Sequence, residues 1–150
     1  MQEHHLSGLM LIERVLLLKS LSIFSDTPEN ILAEIVHLMV ESQVPAGTKI
    51  VKEGETGDCM YIIFDGGVNI SKEDQLLAKL GQKDFFGELS LLDTETRSAT
   101  ATATSDCVLF RIDQEPFYDM MESRPEVVRG VIKILCQRIR SINEKLLKLE

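Results

Sequence analysis

The chain is poor in the residues that most often carry chemistry. Its three histidines, His4, His5 and His37, all fall within the first 37 residues. Metal-dependent catalysis needs imidazoles and carboxylates converging on one point, and no later part of the chain can supply an imidazole. His37 sits in a helical pattern, is read as structural or solvent-facing, and is given no role. The three cysteines, Cys59, Cys107 and Cys136, are an odd number with no close pair. They fit neither a disulfide framework nor a zinc knuckle, and point to a reducing compartment. A P-loop, a dinucleotide glycine motif and a placed nucleophile–base pair are missing as well. The expectation is a protein that is not an enzyme and holds no metal.

Basic residues are also in deficit. There are 16 Lys and Arg against 24 Asp and Glu, a net charge of −8, which argues against nucleic acid held by the general surface. The stretch from Glu126 onward carries a local +3, so the remainder stands at −11 and any anionic ligand needs a dedicated positive site. Long hydrophobic runs are absent. The apolar stretch Leu9 to Leu18 is interrupted by Glu13 and Arg14, too short and too charged to span a bilayer. The start, Met-Gln-Glu-His-His, has no basic region or cleavage site of a secretory signal. A cytoplasmic location is expected, the cytoplasmic face of a membrane protein included.

What is present suits one globular domain with a helical extension: 150 residues, 44% hydrophobic and 27% charged. Leu9 to Leu18 reads as a helix apolar on nearly every side, which calls for a second surface. Residues 20–41 read as continuing helical, with a start signal at Ser25-Asp26-Thr27-Pro28-Glu29 and Ile31, Leu32, Ile35, Val36, Leu38 and Met39 at helical spacing. From Val40 the period changes to two. Short strands follow, separated by turns at Gly47, Glu53 to Asp58, Asp65-Gly66-Gly67 (read as a hairpin) and Lys72 to Gln75. Strands spaced by turns every ~10 residues point to a sandwich or rolled barrel. Thr100 to Thr104 and Cys107 to Ile112 read as two more strands, and Glu115 to Ser123 as a short helix that Pro125 ends.

The stretch Asp84 to Thr104 carries the chemistry. Phe85-Phe86-Gly87 leads into Glu88-Leu89-Ser90-Leu91-Leu92, which suits one helical turn; a polar connector, Asp93 to Thr96, then reaches Arg97. Gly87 lets backbone approach a ligand closely. The first N–H groups of a helix point outward with the positive end of its dipole. Arg97 can clamp a phosphate with a planar fork, and Glu88 is an acceptor suited to a sugar hydroxyl.

Phe86 to Leu92 followed nine residues after Glu88 by Arg97-Ser98-Ala99-Thr100 resembles the phosphate-binding cassette of the cyclic nucleotide-binding domain, found in bacterial catabolite activators, cyclic-nucleotide-dependent kinases and gated channels. The resemblance runs in order from about Phe24 to Glu150. Kinase-type cassettes often carry proline before the arginine; here it is Thr96. The resemblance implies an α+β, mainly β fold: a jelly-roll-like β-barrel over residues 40–113, with N-terminal helices and a long C-terminal helix over 125–150. Residues 23–150 would form the domain and 1–22 a helical extension. It implies that Arg97 pairs with the cyclic phosphate and Glu88 accepts from the ribose 2′-hydroxyl. Ser90 and Ser98 would complete the phosphate shell through their N–H groups, with Phe86, Gly87, Leu89 and Ala99 shaping it. Gly54, Gly57, Gly66 and Gly67 match the family's turn glycines and are read as turn residues only.

The ligand is expected to be a cyclic nucleotide, cyclic AMP over cyclic GMP. The base contact on the last helix is left among Arg129, Lys133 and Gln137. That helix repeats Val128, Ile132, Leu135, Ile139, Ile142, Leu146 and Leu149 in steps of four and three, a heptad seam. Its first half is expected to fold back on the barrel and its second half to pair in a homodimer. The function implied is a regulatory module that passes a helix rearrangement to a partner or fused effector domain. The chain as given ends at the long helix, so no DNA-reading helix-turn-helix is expected in it. The alternative is a degenerate member acting only as a dimerisation scaffold, although the arginine and the acid are both in place.

Overall fold

The change of period at Val40 marks the passage from helix to sheet: α1 (Gln2–Ser20) and α2 (Glu29–Val36) precede it, and β1 (Val40–Val44) begins there. A computed structural model describes residues 2–149, with side chains from Met10 to Leu149. The side chains of His4, His5 and Leu9 lie outside that range. Packing divides the chain into two units. One is His37–Asp119; the other joins the residues up to Val36 with those from Met120. The expected extension over 1–22 is thus part of a helical unit that continues to Val36 and includes the last helix, α5 (Pro125–Leu149).

In the helical unit the start signal at Ser25 to Glu29 opens a new helix, α2, while residues 21–28, read as helical, form turns. Between α1 and α2 the chain makes successive tight turns, the N–H groups of Leu21, Phe24 and Thr27 donating to the carbonyls of Leu18, Leu21 and Phe24 at 3.0 Å each. Pro28 fixes where α2 begins, because it disfavours helical backbone at Thr27 before it while suiting a first turn itself. Ile31, Leu32, Ile35 and Val36 are buried as their spacing implies. On α5 burial falls on Val127 and Val131, one residue, or about 100° around the helix, before the seam at Val128 and Ile132. The helix therefore has two apolar faces. Along the seam, Ile132, Ile139, Ile142, Leu146 and Leu149 are each more than half exposed within the single chain. Ile12 and Leu16 of α1 are exposed too. Among the described residues, no helix is long and apolar enough to cross a membrane.

The other unit is the roll. Its strands are β1, β2 (Lys49–Val51), β3 (Thr56–Gly57), β4 (Cys59–Asp65), β5 (Val68–Lys72), β6 (Gln75–Leu80), β7 (Phe85–Phe86), β8 (Glu95–Thr96), β9 (Thr100–Ala103) and β10 (Cys107–Asp113). They form two four-stranded sheets, in the orders β1-β10-β4-β7 and β2-β9-β5-β6, and a two-stranded ribbon, β3-β8. The sheets do not close into one ring, so the fold is an open jelly-roll-like arrangement. All pairings are antiparallel, and Ile63, Val68, Phe86, Ala101, Ala103, Cys107 and Leu109 fill the space between the sheets. Alternation in β9 sends Ala101 and Ala103 inward. Between Val108 and Leu109 the pairing skips Phe64 of β4; Leu109 and Phe110 are both buried, Leu109 in this core, and Phe110 meets Phe64 edge to face at 5.5 Å.

Two turns read alike in the sequence behave differently. Lys72 to Gln75 is a hairpin, with Glu73 and Asp74 at φ 51° and 65° joining the paired strands β5 and β6. Asp65-Gly66-Gly67 is not one: β4 and β5 lie in different sheets, and this corner carries the chain between them. Gly66 is needed there, at φ 104°, because a Cβ would come 2.6 Å from Cys107 Sγ and 2.7 Å from the Asp106 carbonyl.

Burial has a titration consequence at the start of β4. It pushes the Cys59 thiol above its usual 9.0, against the pull of Arg97, and the Tyr61 hydroxyl above its usual 10.0. The folded state therefore holds both protons more tightly than the unfolded chain, whose thiol and phenol ionise first as pH rises. Stability from these groups is complete below about pH 9 and is lost as pH climbs through their folded-state values. Urea midpoints are expected to be flat from pH 7 to 8.5 and to fall above pH 9, and a Cys59→Ser variant should flatten the first part of that fall.

Candidate functional site

Gly87, at φ 83° and ψ 15°, turns the chain from β7 into α3 (Glu88–Leu92), and no side chain caps that helix. β7 is anchored to β4 by the pairing of Phe86 with Tyr61, whose rings stack at 5.4 Å between centroids. Leu91 and Ser90 are buried, and Leu89 stands exposed at the rim. The connector after α3 is not irregular throughout. Glu95 and Thr96 form β8 and pair with Gly57 and Thr56 of β3. A two-residue strand has no period to reveal it in a sequence.

That ribbon sets Arg97. Its N–H donates to the Glu55 carbonyl at 2.7 Å, and its own carbonyl accepts from Gly54 N–H at 2.9 Å, so the backbone is pinned on both sides. The side chain is buried, at 8% exposure. Nη2 donates to the Cys59 carbonyl at 3.0 Å and to Cys59 Sγ at 3.2 Å. Glycines make the slot. A Cβ on Gly57 would strike Nε and Cζ of the guanidinium, and one on Gly87 would come 2.6 Å from Nη1. Gly57 does not have a positive φ, so its reading as a turn residue only is corrected: it is glycine to admit the arginine.

Phe86, Gly87, Glu88, Leu89, Ser90, Arg97, Ser98 and Ala99, the residues singled out in the sequence, all line one cavity of about 230 Å³. Val51, Ile70, Glu95 and Ala101 share its wall. Glu88 is half-buried in the first turn of α3, Ser98 is exposed and Ala99 half-buried. The cavity thus combines a buried cation, the start of a short helix, an acceptor carboxylate and apolar strand residues. That combination suits a small anion carrying a hydroxyl and an apolar part. Cys59 and Gly57 went unnoticed in the sequence as contributors, since their contact with Arg97 spans about 40 residues of chain. Of the residues considered for a base contact, Lys133 lies 3.4 Å from Asp26 in an exposed ion pair, while Arg129 and Gln137 are exposed. All three belong to the helical unit. Among the described residues no group of three or more His, Cys, Asp or Glu could hold a metal ion.

The cassette is also tied to the helix that follows the roll, α4 (Gln114–Ser123). Gln114 Nε2 donates to the Ser90 carbonyl at 3.4 Å, Thr94 Oγ1 donates to Gln114 Oε1 at 2.9 Å, and the Tyr118 hydroxyl donates to the Leu92 carbonyl.

Comparison with known proteins agrees with this geometry. The sequence profile of the cyclic nucleotide-binding domain matches residues 41–124. A CRP-like cAMP-activated global transcriptional regulator of Mycobacterium tuberculosis is 30% identical over 129 residues, which make up 83% of this chain and 58% of that protein. The chain therefore spans little more than half of that relative's length. Among solved structures, the N-terminal domain of a transcriptional regulator from Streptomyces coelicolor A3(2) superposes with a TM-score of 0.81 at 27% identity, covering 87% of this chain and 94% of that one. The regulatory domain of Toxoplasma gondii PKA, crystallised with cAMP, gives 0.70 at 28% identity, covering 93% of this chain and 51% of that one. With the profile matched across more than half its length, and with the roll and cassette in place, this chain belongs to the cyclic nucleotide-binding domain family.

Proposed function

We propose that this chain is a cyclic AMP-binding regulatory module. The observation that carries the reading is the buried guanidinium of Arg97, held by uncharged acceptors at the wall of a cavity that also contains Glu88. In this reading Arg97 pairs with the cyclic phosphate and Glu88 accepts from the ribose 2′-hydroxyl. N–H groups of Ser90 and Ser98 complete the phosphate shell, and Phe86, Gly87, Leu89 and Ala99 shape it. Cyclic AMP is favoured over cyclic GMP because the M. tuberculosis relative is described as cAMP-activated and the T. gondii domain was crystallised with cAMP. Free thiols at Cys59, Cys107 and Cys136 suit a cytoplasmic setting.

Ligand charge drawing the α3 turn inward would be felt first by α4, through the hydrogen bonds of Gln114 and Tyr118 to α3 carbonyls. The ligand biases that arrangement only by its differential affinity for it. Output then passes to a partner or a fused effector, and the exposed seam of α5 supports a second copy of this chain as one partner. With Ile132, Ile139 and Leu146 at a and Val128, Leu135, Ile142 and Leu149 at d, Arg138 and Lys145 fall at g and Asn143 at e. An antiparallel pair would set these cations against each other. A parallel pair sets Arg138 against Asn143 of the second copy, so the charges favour parallel helices.

A thermal-shift titration tests the ligand. Cyclic AMP at a hundred times its dissociation constant adds about 2.7 kcal/mol, a rise of roughly 5–10 °C for a chain of this size. The rise is expected with cyclic AMP, weaker with cyclic GMP, absent with 5′-AMP and lost in Arg97→Ala. No response to either cyclic nucleotide from folded protein would leave the scaffold reading. Gly57→Ala, which closes the slot on Arg97, should fold and bind at least about tenfold more weakly, by loss of a charge-assisted contact. For the seam, sedimentation should give a dimer for the intact chain and a monomer for Ile139→Asp; a monomer in both cases would remove the dimer.

A further inference from the structure

The Cys59 thiol has no part in the reading above, yet it touches the group on which that reading turns. Arg97 Nη2 donates to Sγ at 3.2 Å as well as to the carbonyl of the same residue at 3.0 Å. Both atoms are acceptors without charge, since burial keeps the thiol protonated at neutral pH. We propose that Cys59 is a positioning residue of the anion site, fixing the Arg97 guanidinium by a neutral tether so that its charge stays available to the ligand. The inference rests on the cavity being a cyclic nucleotide site.

The alternatives at this position show why neutrality matters. A carboxylate in the place of the thiol would make a charge-assisted pair with a guanidinium that is almost fully buried. That pair would be strong where water is scarce, and a phosphodiester with one negative charge would have to displace it. A methyl group in the same place would free one side of Nη2, leaving binding to re-impose order on a long, rotamer-rich side chain. A hydroxyl would keep an uncharged acceptor. The two glycines set the plane of the guanidinium by excluding side chains from beside it. Cys59 sets how far it reaches inward and leaves the Nη1 side toward Gly87 and the cavity wall.

The test measures cyclic AMP affinity by calorimetry, together with ligand-free melting temperature, for the wild type and for Cys59→Ser, Cys59→Ala, Cys59→Asn and Cys59→Asp. Cys59→Ser is expected to bind within about threefold of wild type and Cys59→Ala about tenfold more weakly, the effect of one lost hydrogen bond to a charged group. Cys59→Asp is expected to bind about a hundredfold more weakly than its isostere Cys59→Asn. Its ligand-free melting temperature should be no lower than that of Cys59→Asn, because an internal ion pair stabilises the empty state. A merely structural cysteine would lower melting temperature and affinity together. Wild-type affinity in Cys59→Ala would overturn the tether, and equal affinities in the Asp and Asn variants would overturn the argument from charge. Should Cys59→Asp fail to fold, the comparison of Ala with Ser still decides the tether. A wild type that binds no cyclic nucleotide would sink the site reading itself; a wild type that binds while the variants do not separate sinks this inference alone.

Discussion

One positive charge, largely withdrawn from water, organises the sheet unit. An isolated buried cation is costly unless its surroundings supply acceptors and, in use, a counter-charge. Here the acceptors are the carbonyl and the thiol of one residue, and the slot around the guanidinium is shaped from three elements. β3 lends Gly57, the start of β4 lends Cys59, and the turn after β7 lends Gly87. Each of these must be small or neutral for the guanidinium to fit and keep its field. In a chain whose residues before Glu126 carry a net −11, this buried cation is the dedicated positive group that the proposed anion site requires.

The anchoring of the cavity follows the same logic. Its far wall is made of apolar strand residues, Val51, Ile70 and Ala101, and its near wall is carried by Phe86, fastened to Tyr61 by stacking and strand pairing. A two-residue strand has little stability by itself, so the stacked ring pair does much to hold the turn that follows. α4 leans on the same turn through side-chain bonds to carbonyls at the end of α3, the groups a short helix leaves unpaired. The cassette is thereby held at its start by aromatic packing and at its end by polar contacts.

The cassette was legible in the sequence because its residue types are contiguous and their chemistry is local: a glycine before a helix start, an acid in the first turn, an arginine at fixed distance. The strands were legible from β-branched and aromatic runs between turn residues, as in β4 and β10, more than from a period of two, which β9 alone writes cleanly. What escaped depends on contacts between distant segments. Gly57 looked like any turn glycine, and only its neighbour in space, Arg97, explains why it has no side chain. The corner at Gly66 shares its composition with a hairpin turn, and only pairing tells them apart. The start of α2 was legible as the signal ending in Pro28 and Glu29, while the turns over 21–28 were hidden by apolar residues that continue the spacing of α1. On α5 the seam was legible as a period, while the buried face one residue away, Val127 and Val131, was hidden because both faces are apolar.

The ribbon of β3 and β8 has a consequence for the direction of Arg97. Successive side chains in a strand point to opposite faces, so a slip of one residue turns every side chain over. Gly57 faces Glu95 and Thr56 faces Thr96, which places Arg97 one step beyond the last pair. A slip of one residue in this ribbon would point the arginine to the other side, however well its chemistry was preserved. A slip of two would restore its direction but shift it along the slot by about 7 Å, past the glycine that admits it. The direction of Arg97 is therefore set by the register of two short strands as much as by the residue types around it.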